Sequence, residues 1–136
     1  MVALLLHELP DRYAICRAND LESAIALLEA SLNGPPGVFA VIGAINELTI
    51  VCREHLAPSG ADVEGNWVGI YIDGQLDFAL VGILARLTTV LAEAGMGVLA
   101  MSTFDTDYVF IPGDRIDDAR MALAAAGYKL ADPESE

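Results

Sequence analysis

Apolar and polar positions change rhythm several times along the chain, and the changes mark out its elements. Apolar runs at about 2–8 and 12–17 predict two strands flanking a turn at Leu9-Pro10-Asp11. Ile25, Leu28 and Leu32 then fall at helical spacing and predict a helix over 21–32. Asn19 or Asp20 can cap it, and Asn33-Gly34-Pro35-Pro36-Gly37 ends it. β-Rich runs follow at 38–43 and 47–53, joined by a short turn. Residues 57–66, APSGADVEGN, are the one linker-like stretch. Beyond it come a strand at 67–73, a helix at about 81–94 that ends at Gly95, and strands at about 97–103 and 106–111. Pro112-Gly113-Asp114 breaks the chain and starts a helix over about 115–126, which Gly127 stops. Residues 128–130 add an edge strand, and the tail ADPESE is expected to be disordered.

The order from Trp67 to Tyr128 is strand, helix, two strands, helix, strand: a ferredoxin-like β-α-β-β-α-β unit of the α+β class. A faint internal repeat accompanies it. An offset of 60 places residues 47–51 on 107–111, and an offset of 59 places Ile25, Leu28 and Leu32 on Leu84, Leu87 and Leu91. Both halves then read β-α-β-β, the first lacking a second helix and carrying an extra strand at its start. The expectation is an incomplete unit at 1–60, a complete unit at 61–131 and a tail at 132–136, with merged cores because neither unit alone buries much surface. Trp67 is expected to anchor packing at the boundary.

Composition narrows the function. Hydrophobic residues make up 54% of the chain and charged residues 20%, enough apolar material for a core, and the longest apolar stretches are too short for a membrane span. The N-terminal MVALLLHELP has no basic n-region, which argues against a signal peptide. The net charge of −13 argues against nucleic acid and anionic membranes, both of which require clustered Lys and Arg. Cys16 and Cys52 have no CxxC neighbour or metal-ligand spacing, so they are expected to be packed free thiols in a reducing cytoplasm. His7 and His55 are the only histidines, and neither has a sequence-adjacent Ser or Cys that suggests a nucleophile. There is no Walker loop or GxGxxG, and Asp114, Asp117 and Asp118 lack the spacing of a Ca²⁺ loop. Neither a cofactor nor a metal is expected, and catalysis is not.

The remaining chemistry centres on the segment from Asp73 to Gly82. Gly82, near the helix start, lets a ligand approach the backbone, and the first amides of a helix lack internal partners and carry partial positive charge. A carboxylate fits such a place. Asp77 in the loop and Asp107 on a neighbouring strand can hold an ammonium, and Asp105 can share a face with Asp107 at a strand period of two. Amides on one side and acids on the other match an α-amino acid. Asp105 is equally suited to capping a hairpin turn, and Ser102 and Thr103 to satisfying strand ends.

The segment GILARLTTVLAEAGMGVLAMSTFDTDYVFIP, with FAVIGAINELTIVCRE in the first half, resembles ACT domains. It looks like the subfamily typified by the arginine sensors called CASTOR and by their small bacterial relatives. The resemblance covers residues 12–131 and rests most on STFDTDY and GILARL. It implies two ACT-like units packed side by side, a ligand at their interface and no catalysis. It places the binding features at Asp77, Val81, Gly82, Ile83, Thr103, Phe104 and Asp107. The chain departs from the subfamily pattern in two places: Val81 stands where a polar residue is frequent, and Ala44 and Ile45 stand where an Arg-Thr pair is frequent. The expected function is a cytoplasmic, non-catalytic amino-acid sensor that forms a homo-oligomer. The alternatives are an interaction module with a vestigial pocket and a small enzyme using His7 or His55.

Overall fold

The computed structural model describes residues 4–58, 62–73 and 82–132. Its strands are β1 (Leu5–Glu8), β2 (Tyr13–Arg17), β3 (Ala40–Ala44), β4 (Glu47–Arg53), β5 (Val63–Ile72), β6 (Leu99–Ser102), β7 (Asp107–Pro112) and β8 (Lys129–Leu130). The helices are α1 (Leu21–Asn33), α2 (Ile83–Glu93) and α3 (Ile116–Ala125), with single 3₁₀ turns at Glu54–Leu56 and Gly113–Arg115. The chain divides into two compact units that do not follow chain order. One runs from Pro10 to Trp67; the other joins the residues up to Leu9 to those from Val68 onward.

The second of these, the two-helix unit, is ferredoxin-like. Its strands lie in the order β8-β1-β5-β7-β6. Strand β1 is antiparallel to β5, with Leu6 opposite Ile72, and parallel to β8, with Leu6 opposite Leu130. The extra N-terminal strand thus belongs here, inserted beside β5, and not with the residues that follow it. Arg120 on α3 fixes it by a two-pronged bond to Glu8, at 2.7 Å from Nε and 2.8 Å from Nη2. Strand alternation sends Leu6, Ile70, Ile72, Val109 and Ile111 to one face, where Leu87 and Leu91 of α2 and Ala119 and Leu123 of α3 cover them. Gly95 and Gly127 follow the two helices at φ of +82° and +98°, a conformation that suits glycine and lets the chain turn back.

The one-helix unit has the order β3-β4-β2-β5, antiparallel throughout, with its fourth strand supplied by the first half of β5. This corrects the linker reading of 57–66, since β5 begins at Val63. Residues 63–66 are exposed, so no apolar alternation announces them. Their pairing with β2 rests on backbone bonds, and it shifts register between Tyr13 and Ile15 beside a left-handed Asn66 (φ +61°).

Helix α1 begins as expected, with Asp20 Oδ1 accepting the Ser23 N–H at 2.7 Å. Its face is a surprise. Ala24 is the buried residue, packed with Ala14, Cys16, Ile50 and Cys52. The expected stripe points outward, with Ile25 45% and Leu32 72% exposed, beside Leu21 at 62%. The closest approach to the sheet is made over Ala14, Cys16 and Cys52, where a small side chain fits, while Leu27 packs half-buried against the same cluster. The repeat is also corrected. Ile50 and Cys52 meet the helix in one unit, as Val109 and Ile111 do in the other, so the strands share the helix's offset of 59. An offset of 60 superposes Ile50 on Phe110, which lies outside that cluster, and reverses the face.

After α1 the chain is held by a nearly buried arginine. Arg53, 3% exposed, donates from Nε to Asp11 at 3.2 Å and from Nη2 to the carbonyls of Pro35 (2.6 Å) and Pro36. Tyr13 accepts the Val38 N–H at 3.1 Å. A Cβ on Gly37 collides with both the guanidinium and the tyrosine hydroxyl, whereas one on Gly43 meets nothing within 4 Å. Gly37→Ala is therefore expected to cost about 1–3 kcal/mol and Gly43→Ala almost nothing. Urea midpoints of the two variants against the parent chain check the contrast.

Candidate functional site

The end of β5 is where the two-helix unit gathers its polar groups. The β6–β7 hairpin places Ser102 opposite Asp107. Ser102 Oγ donates to Asp107 Oδ1 at 2.5 Å. Thr103 closes the turn: its N–H donates to the Thr106 carbonyl at 2.9 Å, and its hydroxyl contacts the same residue. Thr106, buried, reaches the other way and donates from Oγ1 to the Ile72 carbonyl at 3.0 Å. That bond fixes the hairpin tip to the last residue of β5, from which the segment 73–82 departs.

His7, Tyr71 and Tyr108 lie beside this bond, one from each of β1, β5 and β7. The His7 ring stacks on Tyr71 (centroids 5.1 Å apart, planes at 19°), and Tyr71 meets Tyr108 at 5.5 Å. His7 Nε2 is 2.8 Å from Asp73 Oδ1, and the Asp73 N–H donates to the Leu5 carbonyl at 2.8 Å. The sequence reading passed over this cluster. Its signal was the parity of His7 with Leu6 and of Tyr71 with Ile72, which places the rings on the face the core does not use.

Helix α2 opens with Gly82 at φ +83°, a left-handed cap with open space where a Cβ would be. No side chain caps this end among the described residues, and its first turn carries no acid. The positive end of the helix dipole is therefore not neutralised by its own turn. Ile83 packs its side chain against the core, leaving its backbone as the part a ligand can use. Of the expected residues, Thr103, Phe104 and Asp107 share the hairpin, and Gly82 and Ile83 share the helix start. Phe104 is 76% exposed at the tip, next to an exposed Asp105. Asp77 and Val81 lie outside the described residues.

The one-helix unit holds a different concavity, an open groove of about 480 Å³. Arg17 and Asp62 pair across it at 3.2 Å, Thr49 donates to Glu47 at 2.9 Å, and Glu64 completes the polar lining. No sequence motif pointed to it, because its residues come from three separate strands. The two cysteines of this unit are buried and free. Burial, and then the neighbouring Cys16, push the Cys52 thiol up to about 12, and burial also raises Cys16. Thiols held in that form are poor nucleophiles.

An ACT domain is found at residues 62–125. The whole chain is similar to protein Atu0741 from Agrobacterium tumefaciens, with a TM-score of 0.79 and 24% identity over 96% of this chain and 94% of that one. It is similar to VC0802 from Vibrio cholerae, titled a possible transport protein of unknown function, with a TM-score of 0.70 and 21% identity over 90% and 89% of the two chains. The ligand-free regulatory subunit of aspartate kinase from Thermus thermophilus is similar at a TM-score of 0.61 and 14% identity, covering 89% of this chain and 96% of that one. These are likenesses of fold. No curated protein matches the chain. No helix among the described residues is long and apolar enough to cross a membrane.

Two outcomes follow. Thr106→Val removes the hydroxyl and leaves the Ile72 carbonyl without its partner; it is expected to cost about 1–3 kcal/mol, and Thr106→Ser to recover most of it, as read from urea unfolding. In the native chain Cys16 and Cys52 are expected to resist iodoacetamide at pH 8 and to react fully once denaturant exposes them, as counted by mass spectrometry.

Proposed function

We propose that this chain is a non-catalytic, cytoplasmic regulatory module that binds a small zwitterion, an α-amino acid, through its ACT domain. The observation that carries the reading is the Thr106–Ile72 bond. It ties the Asp107 hairpin to the end of the strand whose following segment leads to the glycine-capped start of α2. An amino acid can place its carboxylate on the first-turn amides of that helix and its ammonium on Asp107. Ser102 holds Asp107 in the meantime and can release it by rotating about one side-chain bond. The resemblance to CASTOR-type sequences supports the same ligand class, and the likeness of fold to a regulatory subunit of aspartate kinase supports a regulatory role.

A homo-oligomer belongs to this proposal. Strand β3 is an edge strand whose residues, AVIGA, carry neither a charge nor a proline, so nothing in it discourages pairing with another copy. A second reading, an interaction module with a vestigial pocket, is favoured by the apolar Val81 and by the Asp107 carboxylate already having a hydrogen-bond donor.

Calorimetric titration with each of the twenty amino acids tests the proposal. At least one is expected to bind and, at one hundred times its dissociation constant, to raise stability by about 2.7 kcal/mol. Asp107→Asn is expected to abolish that gain. Binding lost in Arg17→Ala but kept in Asp107→Asn moves the ligand to the groove of the one-helix unit, and no binding at millimolar concentration leaves the vestigial reading standing.

A further inference from the structure

We infer that the outer face of α1 is the docking site for a short amphipathic helix with a basic flank, supplied by another protein. Leu21, Ile25, Leu28 and Leu32 are spaced four, three and four residues apart, which lines them up along one side of the helix. Three of them are among the most exposed large hydrophobics of the chain, at the values given above. An isolated exposed leucine requires no explanation, but a stripe over three turns does.

The two-helix unit shows what covers such a stripe. There α2 packs against α3, and Leu87 and Leu91 are shut off by that helix pair and the sheet. In the one-helix unit the described residues after β4 form only the 3₁₀ turn Glu54–Leu56 before β5 begins. Among its described residues that unit has the first helix of a ferredoxin-like pair and no second one. The missing occupant is therefore a helix.

Charge and area decide whose helix it is. Helix α1 carries Glu22 and Glu29, both exposed and both on the same flank of the stripe, and it carries no basic residue. A second α1 packed antiparallel brings Glu22 of one copy towards Glu29 of the other, between chains of net charge −13. A helix with Lys or Arg beside its own apolar stripe meets the same glutamates favourably. Four side chains also fall well short of the ~800 Å² per partner that holds a standard complex together, so the surface suits a reversible helix-to-helix contact. This inference is independent of the ligand proposed above.

The test uses the full chain and a fluorescein-labelled helical peptide with leucine at every third or fourth position and lysine at the flanking ones. Anisotropy at physiological salt is expected to show saturable binding. The double variant Ile25→Ser, Leu32→Ser leaves the charge unchanged and is expected to weaken binding by at least about tenfold. Circular dichroism of that variant is expected to match the parent, since both side chains are exposed. Val41→Ser on β3 is expected to leave peptide affinity as it was. Equal affinity in parent and double variant overturns the inference, because it reduces binding to attraction between net charges. So does equal binding of a peptide with glutamate in place of lysine. A parent chain that sediments as a dimer while the double variant sediments as a monomer also overturns it, by giving the face to a second copy.

Discussion

Everything at the candidate site depends on the side-to-side alternation of the strands in the two-helix unit. Once Leu6, Ile70, Ile72, Val109 and Ile111 are committed to the helices, their chain neighbours have no choice of side. His7, Tyr71 and Tyr108 must line the other face, where they stack. The same register sets Ser102 opposite Asp107. A slip of one residue in β7 alone reverses this order and buries Tyr108 in place of Val109. Burying a side chain such as valine or isoleucine stabilises by about 1.5–3 kcal/mol. Five such residues acting together outweigh any single polar contact at the site, so the core dictates the geometry of the hairpin and not the reverse.

Much of this architecture was legible in the sequence, because its signals are local. Gly95, Gly127 and Asp20 act through the conformation or hydrogen bonding of their own residues, and each marks the helix end it was expected to mark. The misreadings share a different cause. The stretch 63–66 becomes strand through the backbone of β2, which leaves no trace in its own side chains. The inward face of α1 was obscured because its apolar residues run round most of the helix, and the buried one is Ala24 and not a large hydrophobic. Helical spacing identifies an apolar stripe; the partner's shape decides whether that stripe is inside.

The site was legible in part for the same reason. Gly82 and Asp107 announce themselves by residue type, as a flexible cap and a carboxylate near a turn. The Thr106–Ile72 bond spans 34 residues and has no sequence signature. The His7–Asp73 contact spans 66 and depends on β1 joining the sheet beside β5, a pairing no local pattern reveals. The two units also diverge in a way the repeat concealed. Both carry βαββ, but one completes itself with a helix and a strand, and the other only with a borrowed strand. The same βαββ pattern thus yields one closed surface and one open one.

The Arg53 corner pins the chain where it leaves α1 for β3. Pro35 and Pro36 have no N–H, so that stretch of backbone offers only acceptors. A guanidinium offers only donors. Such a pairing has no tautomer to exchange and no way to swap roles, and Gly37 lies so close that even a Cβ there meets the guanidinium and the Tyr13 hydroxyl. Its donors and acceptors are matched in one direction only, so it holds the chain as a clamp and not as a switch.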